Sequence, residues 1–149
     1  MANPPRNPVA PKSLLEGYAG TPLPRKLGIK ANSVVALVDA PKDFKKTLGP
    51  LPEGTTLQKK GRGQNNLTVW FTTSRADLEA RIQGIVKGVK ERGGLWIAWP
   101  KKTSGVASDL TQNHVRKVGL ASGLVDYKVC AIDATWSGLL FTRRKTSER

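Results

Sequence analysis

The fold of this chain is decided by residues 67–100, which read LTVWFTTSRADLEARIQGIVKGVKERGGLWIAWP. The segment begins with LTVWF and ends with LWIAWP. Both are short apolar runs, rich in aromatic and β-branched residues, of the length and composition of buried strands. Strands of this kind are typical of parallel sheets, which are covered on both faces.

The stretch between the two apolar runs predicts a helix over residues 75–91. Ser74 lies three residues before Asp77, the spacing of a capping box that satisfies free amides at a helix start. Gly93 and Gly94 predict the helix end, because glycine tolerates positive φ. The apolar residues recur at helical spacing as one stripe: Leu78, Ile82, Ile85, Val86 and Val89. The whole segment therefore predicts a strand–helix–strand unit with a right-handed parallel crossover.

The same criteria extend the pattern in both directions. The link at residues 134–138 is too short for a parallel crossover, so the last two strands are expected to form an antiparallel hairpin. The fold class that follows is α/β: a three-layer, Rossmann-like arrangement with a mostly parallel sheet that ends in an antiparallel hairpin. The further elements are strands at residues 33–39, 55–59 (a weak edge strand), 127–132 and 139–143, and helices at residues 42–48 and 109–122.

Length and composition fit one domain. We expect a proline-rich basic arm at residues 1–26, a single Rossmann-like domain at residues 27–144 and a basic tail at residues 145–149. No apolar run is long enough for a membrane span. Prolines interrupt the first twelve residues, which argues against a signal peptide, and the single cysteine excludes an internal disulfide. A cytoplasmic protein without membrane contact is therefore expected.

The charge is strongly basic, with 25 Lys and Arg against 11 Asp and Glu and a formal net charge of +14. Such a field favours polyanions, including nucleic acid. A basic, solvated surface without a polyanionic partner is the alternative.

The closing hairpin and the parallel sheet are similar to class I methyltransferases over residues 33–143. In that family a glycine-rich turn after the first strand approaches S-adenosylmethionine, and an acid after the second strand holds its ribose. Here the turn at residues 38–43 reads VDAPKD without glycine, and the acid is replaced by Gln58, Lys59 and Lys60. The resemblance thus implies the fold, whereas both departures argue against the cofactor, and no cofactor is expected.

The amino-acid sequences of several segments also resemble a family of small bacterial proteins of uncharacterised function, with a Rossmann-like, methyltransferase-like fold. That resemblance implies a fold and no activity or catalytic residues. The segments are residues 27–30 (LGIK), 38–41 (VDAP), 48–52 (LGPLP), 95–102 (LWIAWPKK), 119–125 (GLASGLV) and 135–139 (TWSGL).

Ligands of open parallel sheets bind beyond the carboxyl ends of the strands. The turn after LWIAWP is the most suggestive there, because it combines two ammonium groups, two hydroxyls and a glycine. Such donors suit an anion, although a solvated connection is an equally simple interpretation. The predicted anion-binding residues are Lys101, Lys102, Thr103, Ser104 and Gly105. Further candidates for the pocket are Asp39, Thr72, Asp133, Trp136 and Ser137.

Catalytic groups are sparse. His114 and Cys130 are conceivable as a nucleophilic pair, but a cysteine in a buried strand is usually inert. Asp39 and Asp133 could form an acid–base pair, or each could cap a helix or pair with a lysine. One histidine and one cysteine offer too few ligands for a metal. No catalytic residue and no metal site is assigned, and enzymatic activity is not favoured.

Three functions follow. The favoured one is a non-catalytic binding or regulatory module for an anionic ligand. The first alternative is a nucleic-acid-associated protein, and the second is a divergent S-adenosylmethionine-dependent methyltransferase. A protein partner stays open, as does the oligomeric state. The nucleic-acid alternative rests on Lys59, Lys60, Arg62, Arg143, Arg144 and Lys145.

Overall fold

A computed structural model of the protein describes residues 21–59 and 64–143. They form one six-stranded sheet with the strand order β2-β1-β3-β4-β6-β5. The strands are β1 Val34–Val38, β2 Thr56–Gln58, β3 Asn65–Phe71, β4 Val89–Pro100, β5 Leu124–Ala131 and β6 Trp136–Arg143. The α-helices are α1 Leu23–Leu27, α2 Phe44–Leu48, α3 Arg75–Lys87 and α4 Gln112–Ala121.

The predicted sheet is confirmed. β1 pairs in parallel with both β2 and β3, and β3 pairs in parallel with β4. β6 then lies between β4 and β5 and is antiparallel to both. The weak strand at residues 55–59 is indeed an edge strand, since β2 has only one neighbour. The carboxyl ends of β1 to β5 therefore share one edge of the sheet, called here the carboxyl edge, and the opposite edge is the amino edge.

Two apolar clusters cover the two faces of the sheet, so the architecture has three layers. α1 and α2 lie on the first face, where Leu27 and Phe44 pack with alternate residues of β1, β3 and β4. α3 and α4 lie on the second face, where Leu78 and Val115 pack on the remaining alternate residues. Strands buried on both faces explain the continuous apolar runs in the sequence.

The predicted C-terminal end of the helix over residues 75–91 was wrong. α3 ends at Lys87 rather than near residue 91, with Gly88 as its C-cap. Val89 completes the helical pattern in sequence, but it is fully buried at the start of β4 and pairs with Asn65. Gly93 lies inside β4, where an added Cβ would stand 2.8–3.1 Å from three backbone carbonyl oxygens. The missing side chain at Gly93 therefore lets the backbone of β4 approach these carbonyl oxygens, and Gly93 does not end a helix.

Other boundaries shift by a few residues. α4 begins at Gln112, because the Thr111 side chain accepts a hydrogen bond from the His114 amide and caps the helix there. β5 begins earlier than predicted because its ladder with β6 runs to Leu124, and β6 is longer because its pairing with β4 begins at Trp136. α1 occupies residues 23–27, so all but its last residue belong to the segment assigned to the arm, and residues 1–20 and 144–149 lie outside the described residues. No helix in the described part of the chain is long and apolar enough to cross a membrane.

Candidate ligand cleft at the carboxyl edge

The strand order changes direction at β1. From β1 the chain goes to β2 on one side and then to β3 on the other, and the connections separate above the carboxyl ends of these strands. A cleft of about 730 Å³ lies at this point. Its position is the one where open α/β sheets bind ligands, and its volume is in the range of small-molecule sites, roughly 300–1,000 Å³.

The cleft combines an apolar floor with a basic rim. The apolar residues come from the end of β1, the turn that follows it, α2 and the last turn of α3. The charged residues come from that turn, from α2 and α3, and from the residue after β2. The apolar lining residues are Leu37, Val38, Ala40, Pro41, Phe44 and Ile85. The charged lining residues are Asp39, Lys42, Lys45, Lys59 and Arg81.

Asp39, the one acid of the cleft, is paired. Its Oδ2 accepts a hydrogen bond of 2.5 Å from Nη1 of Arg81, which also reaches Asp77 Oδ1 at 3.3 Å. The hydrogen bond to Asp39 raises the pKa of the Arg81 guanidinium. Arg81 also lies over the buried Trp70 ring, with its Cζ 5.8 Å from the ring centroid. These contacts fix Arg81 at the cleft wall and balance the Asp39 charge.

The three lysines of the cleft have no acidic partner among the described residues. Lys42, Lys45 and Lys59 form no ion pair among residues 21–59 and 64–143. Three ammonium groups around one neutralised acid make the cleft electropositive, and such a concave surface concentrates anions. An anionic group in the cleft would receive charge-assisted hydrogen bonds, which are about twice as strong as neutral ones.

The turn after β1 reaches its geometry without glycine. Asp39 itself adopts the left-handed conformation, with φ at 55°, which aspartate tolerates better than most residues. Pro41 has no amide to donate. Lys59 follows β2, where the family's ribose-binding acid would stand. The residues present therefore do not fit the methyltransferase mode of holding S-adenosylmethionine, because the acid is replaced by a lysine, which cannot accept a hydrogen bond from the ribose hydroxyls.

The predicted anion loop lies elsewhere at the carboxyl edge and does not line this cleft. Its residues Lys102–Ser104 form a single 3-10 turn. The Ser104 hydroxyl donates to the Lys101 carbonyl at 2.7 Å and accepts from the Val106 amide, while the Lys101 amide donates to Thr135. The loop is thus closed by its own hydrogen bonds. Lys102, Thr103 and Gly105 are exposed beside it.

Of the five further pocket candidates, only Asp39 lines the cleft. The buried Thr72 hydroxyl donates to Asp77, and Asp133 Oδ1 accepts the amides of residues 135 and 136. Ser137 pairs with Trp99 in the β4–β6 ladder. These groups are engaged in local structure, so they do not converge on one ligand position with Asp39.

Trp136 supports the cleft from a distance. Its ring packs edge-to-face on Phe71 with centroids 5.0 Å apart, and Phe71 packs in the same way on Phe44 at 4.8 Å. Phe44 is part of the cleft floor. The three rings therefore connect the closing hairpin to the floor of the cleft, and Trp136 belongs to the packing that shapes it.

The two acid–base or nucleophilic pairs considered from the sequence are not formed. His114 contacts Glu79 at 3.0 Å, and its helix packs on the second face of the sheet. Cys130 packs against the first face, so the sheet separates the two side chains. Asp39 and Asp133 have separate partners, as described above.

Burial raises the pKa of the Cys130 thiol, and the positive charges of Lys26 and Lys128 offset only part of this effect. A raised thiol pKa means less thiolate at any pH below it. We expect Cys130 in the native protein to react several-fold more slowly with iodoacetamide at pH 8 than free cysteine does. Unfolding in guanidinium should restore the ordinary rate. Equal rates in both states would contradict this account of its environment.

The two described residues assigned to nucleic-acid binding, Lys59 and Arg143, lie at the carboxyl edge and the amino edge. Lys59 follows β2 at the carboxyl edge. Arg143 ends the antiparallel β6 at the amino edge, where its Nη1 donates to the Val89 carbonyl at 2.7 Å. Lys60, Arg62, Arg144 and Lys145 lie outside the described residues. The two described members therefore do not share a surface.

Sequence reasoning missed Lys42, Lys45 and Arg81 as cleft residues. Lys42 lies in the turn after β1 and Lys45 lies in α2, and their signal was the basic composition of this segment, which contains no glycine. Arg81 had a weaker signal, since it lies one helical turn after Asp77 on the exposed side of α3. Its pairing with Asp39, 42 residues away in sequence, exists only in the folded chain.

No known protein-family profile matches the chain, and no curated protein sequence matches it. Solved structures do resemble it. A S-adenosylmethionine-dependent methyltransferase from Aquifex aeolicus superposes with a TM-score of 0.56 at 10% identity, covering 78% of this chain and 85% of that one. A magnesium protoporphyrin IX methyltransferase from Synechocystis gives a TM-score of 0.53 at 10% identity, with coverages of 81% and 74%.

A possible exported protein of Bordetella parapertussis has a TM-score of 0.58 at 11% identity, covering 83% of this chain and 66% of that protein. The chain thus spans just under two thirds of that protein's length. At these identities the similarity shows the fold alone. The chain has a class I methyltransferase-like α/β fold, as its closing hairpin predicted.

Proposed function

We propose that the carboxyl-edge cleft binds an anionic ligand of the nucleoside phosphate class and that the protein is a binding or regulatory module. One observation carries this proposal. The cleft at the switch in strand order holds three lysines without ion-pair partners in the described part of the chain, next to an apolar floor. The proposal keeps the ligand class expected from the sequence and moves its site from the residue 101–105 loop to the cleft.

The chemistry of the cleft matches the parts of such a ligand. The apolar surface of Val38, Phe44 and Ile85 suits the flat faces of a base. The ammonium groups of Lys42, Lys45 and Lys59, which line the cleft, suit phosphate oxygens. A ligand with both parts uses the floor and the rim together.

Asp39 supplies the remaining polar contact. Its Oδ2 is held by Arg81, and its Oδ1 has no hydrogen bond within residues 21–59 and 64–143. A carboxylate oxygen in this state accepts a hydrogen bond from a sugar hydroxyl. Arg81 fixes the carboxylate in position, so this contact costs little ordering on binding.

The test is a double substitution, Lys45→Ala with Lys59→Ala, measured by isothermal titration calorimetry with ADP as the probe. Each lost charge-assisted contact is worth about 1.5 kcal/mol, so we expect the loss of both to lower affinity by roughly a hundredfold. Lys46→Ala with Lys117→Ala is the charge-matched control, because both lysines are exposed on helices and neither lines the cleft. Lys101→Ala with Lys102→Ala tests the loop and should leave affinity unchanged.

Absence of ADP binding by the unsubstituted protein would contradict the proposal. Equal losses in the control and the cleft variant would contradict it too, since they would show a general charge effect. Loss in the loop variant alone would return the site to residues 101–105.

A second candidate is a divergent S-adenosylmethionine-dependent methyltransferase, and the likeness to solved methyltransferase structures favours it. A rise in melting temperature with S-adenosylmethionine but not with ADP would support it. In that case Lys59→Asp, which places an acid after β2, should raise affinity for S-adenosylmethionine. The nucleoside phosphate proposal expects the same substitution to weaken ADP binding.

A further inference from the structure

The amino edge carries a second groove, on the first face of the sheet and remote from the cleft. Its volume is about 750 Å³. β4 and β6 provide its floor through Gly94, Leu140 and Thr142, and the loop before β1 provides one wall. This groove is independent of the cleft and of its proposed ligand.

A bulge in β4 places cations on this groove. Asn65 pairs with Val89 and Leu67 pairs with Gly94, so the four residues 90–93 stand opposite Asn66 alone. Arg92 adopts a left-handed conformation, with φ at 68°. Lys90 and Arg92 are exposed and line the groove. Bulges of this kind redirect side chains at sheet edges.

A second bulge places an aromatic ring on the same groove. Asp126 pairs with Phe141 and Lys128 pairs with Leu140, so Tyr127 between them has no partner in β6. Its side chain lines the groove and is 72% exposed, more than any other large apolar residue described. Core packing does not explain a ring in this position.

The charge of the groove is positive. Lys30, Lys90 and Arg92 line it against one acid, Glu91, and none of the four forms an ion pair among the described residues. Arg143 holds the base of the β4 bulge through its bond to the Val89 carbonyl. The groove therefore has unpaired cations for phosphates beside an exposed aromatic ring.

We infer that this amino-edge groove binds single-stranded nucleic acid, with the Tyr127 ring stacking on a base and with Lys30, Lys90 and Arg92 contacting phosphates. Proteins that bind single strands without sequence preference combine a basic groove with aromatic stacking platforms. The net charge of +14 adds long-range attraction for the same partner. A duplex does not expose base faces to Tyr127, so the groove favours single strands.

Fluorescence anisotropy of the full chain with labelled oligouridylate or oligothymidylate of about 12 nucleotides tests the inference. We expect Tyr127→Ala to weaken binding about tenfold, and Tyr127→Phe to retain it, because stacking is lost only in the first variant. With three phosphate contacts, log K should fall with log salt at a slope of about −2.

Lys90→Ala with Arg92→Gly should reduce that slope by about 1.4, and glycine at residue 92 keeps the left-handed backbone free of strain. Lys46→Ala with Lys117→Ala removes the same charge from exposed helix positions outside the groove and should change the slope little. The cleft variant, Lys45→Ala with Lys59→Ala, should still bind the single-stranded oligonucleotide. This result separates the inference from the proposed function.

Several results would overturn the inference: no binding of the single strand, unchanged binding by Tyr127→Ala, equal affinity for a duplex of the same length, or equal slope changes in groove and control variants. Self-association that depends on Tyr127, seen by light scattering without nucleic-acid binding, would overturn it as well and would identify a second copy as the occupant.

Discussion

Replacing Trp96 by alanine is expected to lower the free energy of unfolding by about 3–5 kcal/mol, the usual cost of removing a large aromatic side chain from a core. Trp96 is fully buried in β4 and packs in the cluster under α1 and α2. Its Nε1 also donates a 2.9 Å hydrogen bond to the Leu27 carbonyl at the end of α1. Loss of the ring removes both the packing and the link from β4 to α1. Chemical denaturation measures the effect.

Trp70 offers a matched comparison that isolates the hydrogen bond. It is also fully buried, in β3, but its Nε1 has no partner among the described residues. Trp96→Phe leaves a buried carbonyl without its donor and should cost about 1–3 kcal/mol through that loss. Trp70→Phe loses no hydrogen bond, so its cost should be smaller by about that amount. Equal costs would show that the bond to Leu27 contributes nothing to stability.

Gly119→Ala is expected to destabilise the protein by about 1–3 kcal/mol, even though alanine is the better helix former. Gly119 lies in α4, where an added Cβ would stand 2.3 Å from Cε2 of Phe141. The Phe141 ring is fully buried. The helix would have to shift away from β6, which opens the second-face core. The measurement is the melting temperature, which should fall by about 3 °C per kcal/mol.

Gly84→Ala is the control for that substitution. Gly84 lies within α3, and nothing stands within 4 Å of its added Cβ. Only helix propensity then changes, so the free energy of unfolding of this variant should rise by about 1 kcal/mol. The same glycine-to-alanine substitution is thus expected to lower the stability of the protein at residue 119 and to raise it at residue 84. A stabilised Gly119→Ala variant would show that α4 adapts without cost and would contradict the close contact with Phe141.

Most of the fold could be predicted from the sequence because its signals are local. Ser74 caps the start of α3 as predicted, with its Oγ accepting from the Asp77 amide at 3.0 Å. The end of α3 could not be predicted in this way. Val89 continues the helical spacing, and its place in β4 is decided by pairing with Asn65 on another strand. Local periodicity does not distinguish the two.

Much less of the candidate site could be predicted. The sequence indicated an anion site at the carboxyl edge and included Asp39, but it favoured the residue 101–105 loop. In the structure the Ser104 hydroxyl is engaged within that loop, where it donates to the Lys101 carbonyl, whereas the Lys102 side chain is exposed. Donors in a sequence motif are available to a ligand only when the fold leaves them unpaired, and a motif carries no information on that pairing.

The sequence by itself determined the types and order of the strands and α-helices from β1 onward, the closing hairpin and the basic charge, because apolar periodicity, capping and linker length act between residues close in the chain. Only the tertiary structure decided the cleft and the amino-edge groove. The cleft needs Asp39, Lys59 and Arg81 from three separate elements, and the groove needs two bulges that exist only in the strand register. Contacts between distant residues depend on pairing and packing of the whole chain, so they become defined only when the sheet forms.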